Sequence, residues 1–165
     1  MPDTFPPKRP MCAACLRPSK TCICRLAAPV AAGVDVLILQ HPLEVANAKG
    51  SARLLHLSLP GSRMVTGETF DEAVLYPEMP GERSLGMAPP PAFNAASMSD
   101  PAGLRLVVLD GTWRKSRKIL YLNSQLQALP RLPLTEVPPS HYRIRKAHAP
   151  NQLSTLEAAC YALMQ

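Results

Sequence analysis

The strongest hydrophobic signals in the chain are two short, uninterrupted apolar runs. "GVDVLILQ" at 33–40 and "LRLVVLD" at 104–110 consist mainly of β-branched residues and leucine. Runs of this length and composition are typical of strands buried on both faces, as in parallel sheets. A shorter run, "RMVTG" at 63–67, predicts a third strand. We therefore expect a small sheet whose main strands have no solvent-exposed face.

Apolar residues recur at helical spacing in three other segments. The clearest is 112–129, which directly follows the second buried run, and the last is 153–165 at the end of the chain. The spacing at 45–59 is mixed, and Gly50 weakens the helix predicted there. A strand, a tight turn and a helix in succession are typical of the α/β class.

Two segments rich in proline separate these elements. Because proline lacks an amide donor and forces its neighbours into extended conformations, we interpret 76–93 as a surface loop over the core. The second segment, 129–150, is also basic, and it contains one short predicted strand at 134–137. A chain of 165 residues is long enough for one domain with a core. We expect this domain at 31–165 and a small appendage at 1–30.

The appendage carries four of the five cysteines, spaced C-x2-C-x6-C-x-C as Cys12, Cys15, Cys22 and Cys24. In a reducing compartment such a cluster favours metal ligation over disulfides. Four thiolates close a tetrahedral site, which folds a loop too small for a hydrophobic core and leaves no position open for catalysis. We predict structural zinc here; the alternative is four reduced thiols in an unfolded leader. Cys160 follows an apolar helical pattern and is expected in the core.

Composition narrows the partner and the compartment. Eighteen Lys and Arg against twelve Asp and Glu give a net charge of +6, which favours a polyanionic partner such as nucleic acid. A merely soluble basic surface is the alternative. No stretch approaches the roughly 18 apolar residues of a membrane span, and the amino terminus, "MPDTFPPKRP", lacks the hydrophobic segment of a signal peptide. We expect a cytoplasmic protein without a membrane partner.

The second buried run ends in "LDGTW", in which Asp110 is followed by Gly111, Thr112 and the only tryptophan, Trp113. Ligands of open α/β sheets bind at the carboxyl ends of the strands. An acid at that position can accept a proton or hold a hydroxyl or an amine, and an indole offers a stacking surface to a base. The structural alternative is an Asp-Gly turn, a helix N-cap at Thr112 and a tryptophan in the core.

Two tetrapeptides combine a local structural role with binding chemistry. "HPLE" places His41 and Glu44 at the end of the first buried run, although a histidine before proline is commonly a turn residue. "STLE" matches a capping box, in which Ser154 is the N-cap and Glu157 bonds back to its amide. Free amides at the same helix start could instead hold the carboxylate of an amino-acid-like ligand.

Cations cluster beside the Trp113 turn and in the second proline-rich segment. They could form a phosphate-binding surface for RNA, and solvated helix and loop faces are the alternative. The RNA-binding candidates are Arg114, Lys115, Arg117, Lys118, Arg143, Arg145 and Lys146.

Together these motifs resemble the DTW-domain family, the tRNA-uridine aminocarboxypropyltransferases. The similarity extends over nearly the whole chain and rests on five ordered elements: the cysteine cluster, "HPLE" with the following "KGSARLL", "LDGTWRKSRK", "YRIR" and "LSTLEA". The signature that names the family is carried by "DGTW", which begins at Asp110. Members of the family usually continue further past "STLEA" than this chain, so we expect a short last helix.

The resemblance implies a fold similar to the SPOUT class of RNA-modifying enzymes. That fold has a parallel sheet and a knotted carboxyl-terminal half that binds S-adenosylmethionine, and knots are too rare to expect on any other ground. The resemblance places the cofactor contacts at the ends of the two buried runs and at the start of the last helix. These contacts are His41, Glu44, Leu109, Asp110, Gly111, Thr112, Trp113, Leu153, Ser154, Thr155 and Glu157.

The implied activity is transfer of the 3-amino-3-carboxypropyl group of S-adenosylmethionine to N3 of a tRNA uridine, with release of methylthioadenosine. Asp110 is then the catalytic base that removes the N3 proton, or else the anchor of the cofactor's amine. Two alternatives are a SPOUT-type RNA methyltransferase and a non-catalytic, zinc-containing RNA-binding module. The binding module would not bind the cofactor.

Overall fold

A computed structural model describes residues 9–70, 93, 103–134, 137–142 and 153–165. Nearly all of the loop predicted at 76–93 and the centre of the short strand predicted at 134–137 lie outside these residues. The described parts of the chain contain both strands and helices, so the α/β class is confirmed.

Three parallel strands form a sheet, and they coincide with the three predicted runs. β1 spans Asp35–Gln40, β2 spans Arg63–Thr66 and β3 spans Arg105–Asp110. The strand order is β2-β1-β3, which makes β1 the central strand of the described sheet. Gln40 pairs with Asp110 in the register of β1 and β3, so both strands end at the same edge.

The predicted burial holds for β1 but not for β3. Five of the six residues of β1 are buried, whereas in β3 only the last of six is. Within the described sheet β3 has a neighbouring strand on one side only, which leaves its side chains partly accessible. Local hydrophobicity does not reveal how many neighbours a strand has, so the prediction that both faces of β3 are fully buried is wrong.

Four α-helices lie in the described residues, and none of them is long and apolar enough to cross a lipid bilayer. The first helix begins later than the segment predicted at 45–59. A turn precedes it, in which the Gly50 amide donates to the Asn47 carbonyl. The helices are α1 (Ala52–Ser58), α2 (Trp113–Leu122), α3 (Ser124–Ala128) and α4 (Thr155–Met164).

The single helix predicted at 112–129 is interrupted at Asn123, which separates α2 from α3. Its backbone is extended, with φ −127° and ψ 91°. The Asn123 Nδ2 donates to the carbonyl oxygens of Ile119 at 2.7 Å and Glu68 at 2.8 Å, and Oδ1 accepts from the Phe70 amide at 2.8 Å. These bonds tie the helix break to the loop after β2, so the prediction of one continuous helix is wrong.

The two faces of β1 belong to two hydrophobic clusters, because alternate side chains of a strand point to opposite faces. Val36 and Ile38 pack with buried residues of α1 and α4. Leu37 and Leu39 pack with buried residues of α2 and α3. The sheet therefore lies between two helical layers, and the start of α4 comes to the carboxyl edge of the sheet.

Cys160 lies on α4 and is exposed, so its predicted place in the core is wrong. The neighbouring residue, Ala159, is buried against Val36 and Ile38 instead. Successive residues of a helix are turned by about 100°, so in an almost wholly apolar segment the pattern does not decide which residue faces inward.

Candidate active site

The carboxyl end of β3 places the Asp110 carboxylate in a nearly closed polar site, where it is 4% exposed. Its Oδ2 accepts a hydrogen bond from Nε2 of Gln40 at 2.9 Å, and its Oδ1 accepts one from Oγ1 of Thr155 at 2.7 Å. The two donors come from β1 and from the start of α4. The carboxylate is thus held in one orientation, and each oxygen retains a further lone pair for a ligand.

The side chain beside Asp110 has an unused acceptor. Gln40 is 3% exposed, its Nε2 is engaged by Asp110, and its Oε1 has no hydrogen-bond partner within the described part of the chain. A buried acceptor without a donor costs about 1–3 kcal/mol, so it needs an explanation. A ligand N–H group at this edge of the sheet would supply the missing donor.

His41 is a fully bonded turn residue, which is the structural alternative stated above. Its Nδ1 accepts from the Leu43 amide at 3.2 Å, and its Nε2 lies 2.7 Å from Oε1 of Glu68. An imidazole whose Nδ1 is an acceptor carries its proton on Nε2, so the ring donates to Glu68 through Nε2. The His41 amide also donates to the Asp110 carbonyl at 3.0 Å. The predicted cofactor contact of His41 stays a prediction.

Glu44 is buried and connects the "HPLE" turn to the first turn of α2. Its Oε1 accepts from Nζ of Lys115 at 2.7 Å, and its Oε2 accepts from Nδ2 of Asn47 at 2.6 Å. Burial acts to raise the pKa of this carboxyl, but the hydrogen bonds from Lys115 and Asn47 and the charge of Lys115 outweigh it and lower the pKa. Glu44 is therefore ionised and engaged inside the protein through both oxygens.

A tight turn at Gly111 joins Asp110 to α2. A Cβ atom at Gly111 would lie 3.0 Å from Cβ of Lys115 and 3.3 Å from Oγ of Ser116, so the close approach of the helix favours glycine. Thr112 occupies the N-cap position of α2, and its carbonyl accepts from the Ser116 amide at 2.8 Å, but its side chain makes no capping bond. The Asp-Gly turn is thereby confirmed.

Trp113 begins α2 and is 72% exposed, so the alternative of a tryptophan in the core is wrong. Large aromatic side chains are on average well buried in folded proteins. An indole that is this accessible, three residues after a buried acid, is available to stack on a ligand.

The start of α4 forms the predicted capping box. Oγ of Ser154 accepts from the Glu157 amide at 3.2 Å, and Oε2 of Glu157 accepts from the Ser154 amide at 2.8 Å. The Leu156 amide donates to Oγ of Ser51 at 3.1 Å. Two first-turn amides therefore have acceptors within the protein, with which a ligand carboxylate would compete. Leu153, just before the cap, is half-buried.

Glu157 also holds the segment before "YRIR" against α4. Its Oε2 accepts from Oγ of Ser140 at 2.8 Å, and its Oε1 accepts from the His141 amide at 2.7 Å. Burial acts to raise the pKa of Glu157, but the hydrogen bonds from Ser154, Ser140 and His141 outweigh it and lower the pKa. Leu109, which precedes Asp110 on β3, packs partly against the cluster around Leu37.

The structure divides the cations of α2 into two groups. Lys115 pairs with Glu44, and Nζ of Lys118 lies 2.6 Å from Oε2 of Glu68. Arg114 and Arg117 are exposed and make no ion pair with any described residue. The other RNA-binding candidates, Arg143, Arg145 and Lys146, lie outside the described residues.

The four cysteines of the appendage come together. Their Sγ atoms all lie within 4.8 Å of one another; Cys12 and Cys24 are 3.6 Å apart, and Cys15 and Cys22 are 3.7 Å apart. A tetrahedron of thiolates with Zn–S bonds of about 2.3 Å has edges of about 3.8 Å, so the cluster has the dimensions of a zinc site. The four thiolates fit a structural metal ion and leave no coordination position open for catalysis.

The thiols of the cluster differ in how readily they ionise. A hydrogen bond from the Ile23 amide lowers the pKa of Cys15 to about 6, whereas the side chain of Cys22 raises the pKa of Cys24 to about 12. Four thiols at this spacing cannot all ionise without a cation between them. A bound metal ion would remove this repulsion.

Residues 9–165 match the family model of the DTW domain. The chain belongs to the DTW domain family. It is similar to proteins named tRNA-uridine aminocarboxypropyltransferase 2. It is 30% identical to that of Macaca fascicularis, over 94% of this chain and 56% of the relative's length. It is 31% identical to that of Drosophila melanogaster, over 97% of this chain and 68% of the relative's length. The mouse protein of the same name is 29% identical over 99% of this chain and 58% of its own length.

The chain spans little more than half the length of the mammalian relatives it matches. No solved structure matches it significantly.

Three residues of the site escaped the sequence analysis. Gln40 ends the first apolar run and bonds to Asp110; Glu68 follows β2 and bonds to His41 and Lys118; Ser51 precedes α1 and bonds to α4. Of these three, only Gln40 was predictable from the sequence, because it ends a predicted strand and ligands of parallel sheets bind at strand ends.

Proposed function

We propose that this chain transfers the 3-amino-3-carboxypropyl group of S-adenosylmethionine to N3 of a uridine in tRNA. The observation that carries the proposal is the match of residues 9–165 to the DTW domain, whose relatives above are named for this class of reaction. The buried acid with an unpartnered acceptor beside it supports the placement of the reaction at the carboxyl edge of the sheet.

The donor's charged end fits the polar atoms at this edge. S-adenosylmethionine supplies, when bound, a carbon atom that is activated toward displacement by its sulfonium leaving group. Its ammonium group offers N–H donors, and the unpartnered Oε1 of Gln40 and the free lone pairs of Asp110 are acceptors. Gln40, Asp110 and Thr155 would hold this end, and the exposed face of Trp113 would border it.

Asp110 has two roles open to it. As a base it would remove the N3 proton of uridine, and as an anchor it would accept from the donor's ammonium group. Its burial between Gln40 and Thr155 excludes water from the carboxylate and fixes its direction, which serves either role. We favour the base, because the neighbouring Oε1 of Gln40 already offers an acceptor for the ammonium group.

Other parts of the chain would serve the site indirectly. A structural zinc on the cysteine cluster would fold the appendage, and Arg17 ties that appendage to the main domain through a 2.8 Å hydrogen bond to the Gly50 carbonyl. The SPOUT-like knot, the domain limits at 30 and 31, and a cytoplasmic location stay predictions. The remaining cofactor contacts expected from the resemblance stay predictions as well.

Isotopic labelling of the donor tests the proposed function. With S-adenosylmethionine labelled in its carboxyl carbon, we expect label on tRNA; with the methyl group labelled, we expect label only in released methylthioadenosine. Methyl label on tRNA would make the chain an RNA methyltransferase. Tight tRNA binding with neither label transferred would favour the non-catalytic RNA-binding module.

Replacement of Gln40 tests the donor site. Gln40→Met removes the carboxamide while keeping a side chain of similar length, and we expect the dissociation constant for S-adenosylmethionine to rise about tenfold, the scale of one buried hydrogen bond. Calorimetric titration of the donor without tRNA measures this directly. Gln127→Met, which removes a carboxamide on α3 that donates to the Leu120 carbonyl, is the matched control and should leave the affinity unchanged. Unchanged affinity in Gln40→Met would refute the contact.

A further inference from the structure

The outward face of α2 has an unusual composition. With about 100° per residue, Trp113, Arg117, Tyr121, Arg114 and Lys118 fall in order within an arc of about 140°. All five are exposed, Trp113 and Tyr121 at 72% and 74%. The rest of the circumference carries the residues that pack inward, among them Ile119 and Leu120. The outward face thus consists of aromatic rings and cations alone.

We propose that this face of α2 is a stacking platform for an unpaired segment of RNA, on which bases stack against Trp113 and Tyr121 while Arg114 and Arg117 contact phosphates. The choice of tRNA as the source of that segment rests on the proposed function. The occupant follows from the chemistry of the face itself.

The order of side chains along the helix fits a strand with alternating bases and phosphates. Trp113, Arg117 and Tyr121 follow each other at intervals of four residues, so a cation lies between two rings that are about 12 Å apart along the axis. Single-stranded nucleic acids are bound by such a combination of aromatic platforms and positive charge. Paired bases present no free ring face, so an unpaired segment fits and a duplex does not.

Other partners fit this face less well. A lipid surface would require long aliphatic side chains directed outward, whereas only Leu122, at the border of the face, has that character and is 41% exposed. An acidic protein would find the cations but would leave the two rings without a specific contact. The face itself carries no acidic residue, and Arg114 and Arg117, which pair with no described carboxylate, are complementary to a polyanion.

Two of the cations of α2 are engaged in ion pairs within the protein. Lys115 faces inward to Glu44, and Lys118 is paired with Glu68 at the rim, so neither is a free phosphate ligand. The face begins at Trp113, directly after the turn that follows Asp110. A strand lying along α2 would therefore lead an unpaired base to the edge of the sheet where Asp110 lies.

Binding of labelled oligouridine, and of an RNA duplex with the same number of phosphates, tests the platform without any donor present. We expect Tyr121→Leu to weaken oligouridine binding about tenfold while leaving duplex binding unchanged, and Tyr121→Phe, which keeps the ring, to bind within about twofold of the unmodified protein. All three side chains are accommodated on an exposed position, so thermal unfolding should be the same in each.

Removal of the two arginines tests the phosphate contacts. Arg114→Gln combined with Arg117→Gln should reduce the dependence of log Kd on log salt by about 1.4, from about 0.7 for each phosphate contact on a single strand. Arg131→Gln, which removes an exposed cation elsewhere, is the matched control and should leave the slope unchanged. An unchanged slope in the double variant would overturn the proposal.

Three further results would also overturn it. They are equal losses for oligouridine and duplex in Tyr121→Leu, no binding of oligouridine by the unmodified protein, and binding of polyglutamate or anionic vesicles as tight as that of oligouridine. If the unmodified protein binds oligouridine through this face but transfers no carboxyl label to tRNA, the proposed function fails and the platform stands. If transfer occurs and all variants bind normally, the platform alone fails.

Discussion

Asp110→Asn is expected to lower the turnover number for transfer to tRNA by about 100-fold or more, the usual effect of losing a positioned base. The substitution keeps the size of the side chain and removes its charge and its basicity. The asparagine can still accept from Nε2 of Gln40 and donate to Oγ1 of Thr155, so the fold should be retained. Single-turnover transfer of carboxyl label, with both substrates saturating, measures the effect.

A matched variant separates the carboxylate from its surroundings. Thr155→Val removes one hydrogen bond to Asp110 but leaves the acid in place, so turnover should fall by only about tenfold, the value of one hydrogen bond to a charged group. If Asp110→Asn instead raises the dissociation constant of S-adenosylmethionine and leaves the turnover number unchanged, the acid anchors the donor and another group takes the proton.

Cys15→Ser is expected to remove the zinc and unfold the appendage around it. Cys15 is the buried member of the cysteine cluster, and zinc binding in small domains contributes on the order of 10–16 kcal/mol, far more than any single hydrogen bond. Mass spectrometry of the metal should find one zinc per unmodified chain and less than about half an equivalent in the variant.

The stability of the whole chain should fall as well. With the appendage unfolded, the charge-assisted bond from Arg17 to the Gly50 carbonyl is lost, which is worth about 1.5–3 kcal/mol and corresponds to a decrease in Tm of about 3–12 °C for a chain of this length. Cys160→Ser is the control and should change neither the zinc content nor the Tm, because Cys160 is exposed on α4. Zinc retained in Cys15→Ser would contradict the four-thiolate site.

Features that depend on neighbouring residues in the chain were predictable from the sequence. The three strands follow from continuous runs of β-branched residues and leucine, and the start of α4 follows from the spacing of Ser154 and Glu157 in the capping box. The meeting of the cysteines follows from spacings short enough for one loop to bring four thiols together. In each case the interacting groups are close in sequence, so the local pattern contains the geometry.

Features that depend on contacts between distant segments were decided only by the tertiary structure. Asn123 ends α2 because its side chain meets Glu68 and Phe70 across the fold, and the inward direction of Lys115 depends on a carboxylate 71 residues away, that of Glu44. Gln40 became part of the site only when β1 and β3 paired and set it beside Asp110. Hydrophobic periodicity records which side chains avoid water; it does not record which polar groups satisfy one another after the strands and helices have packed.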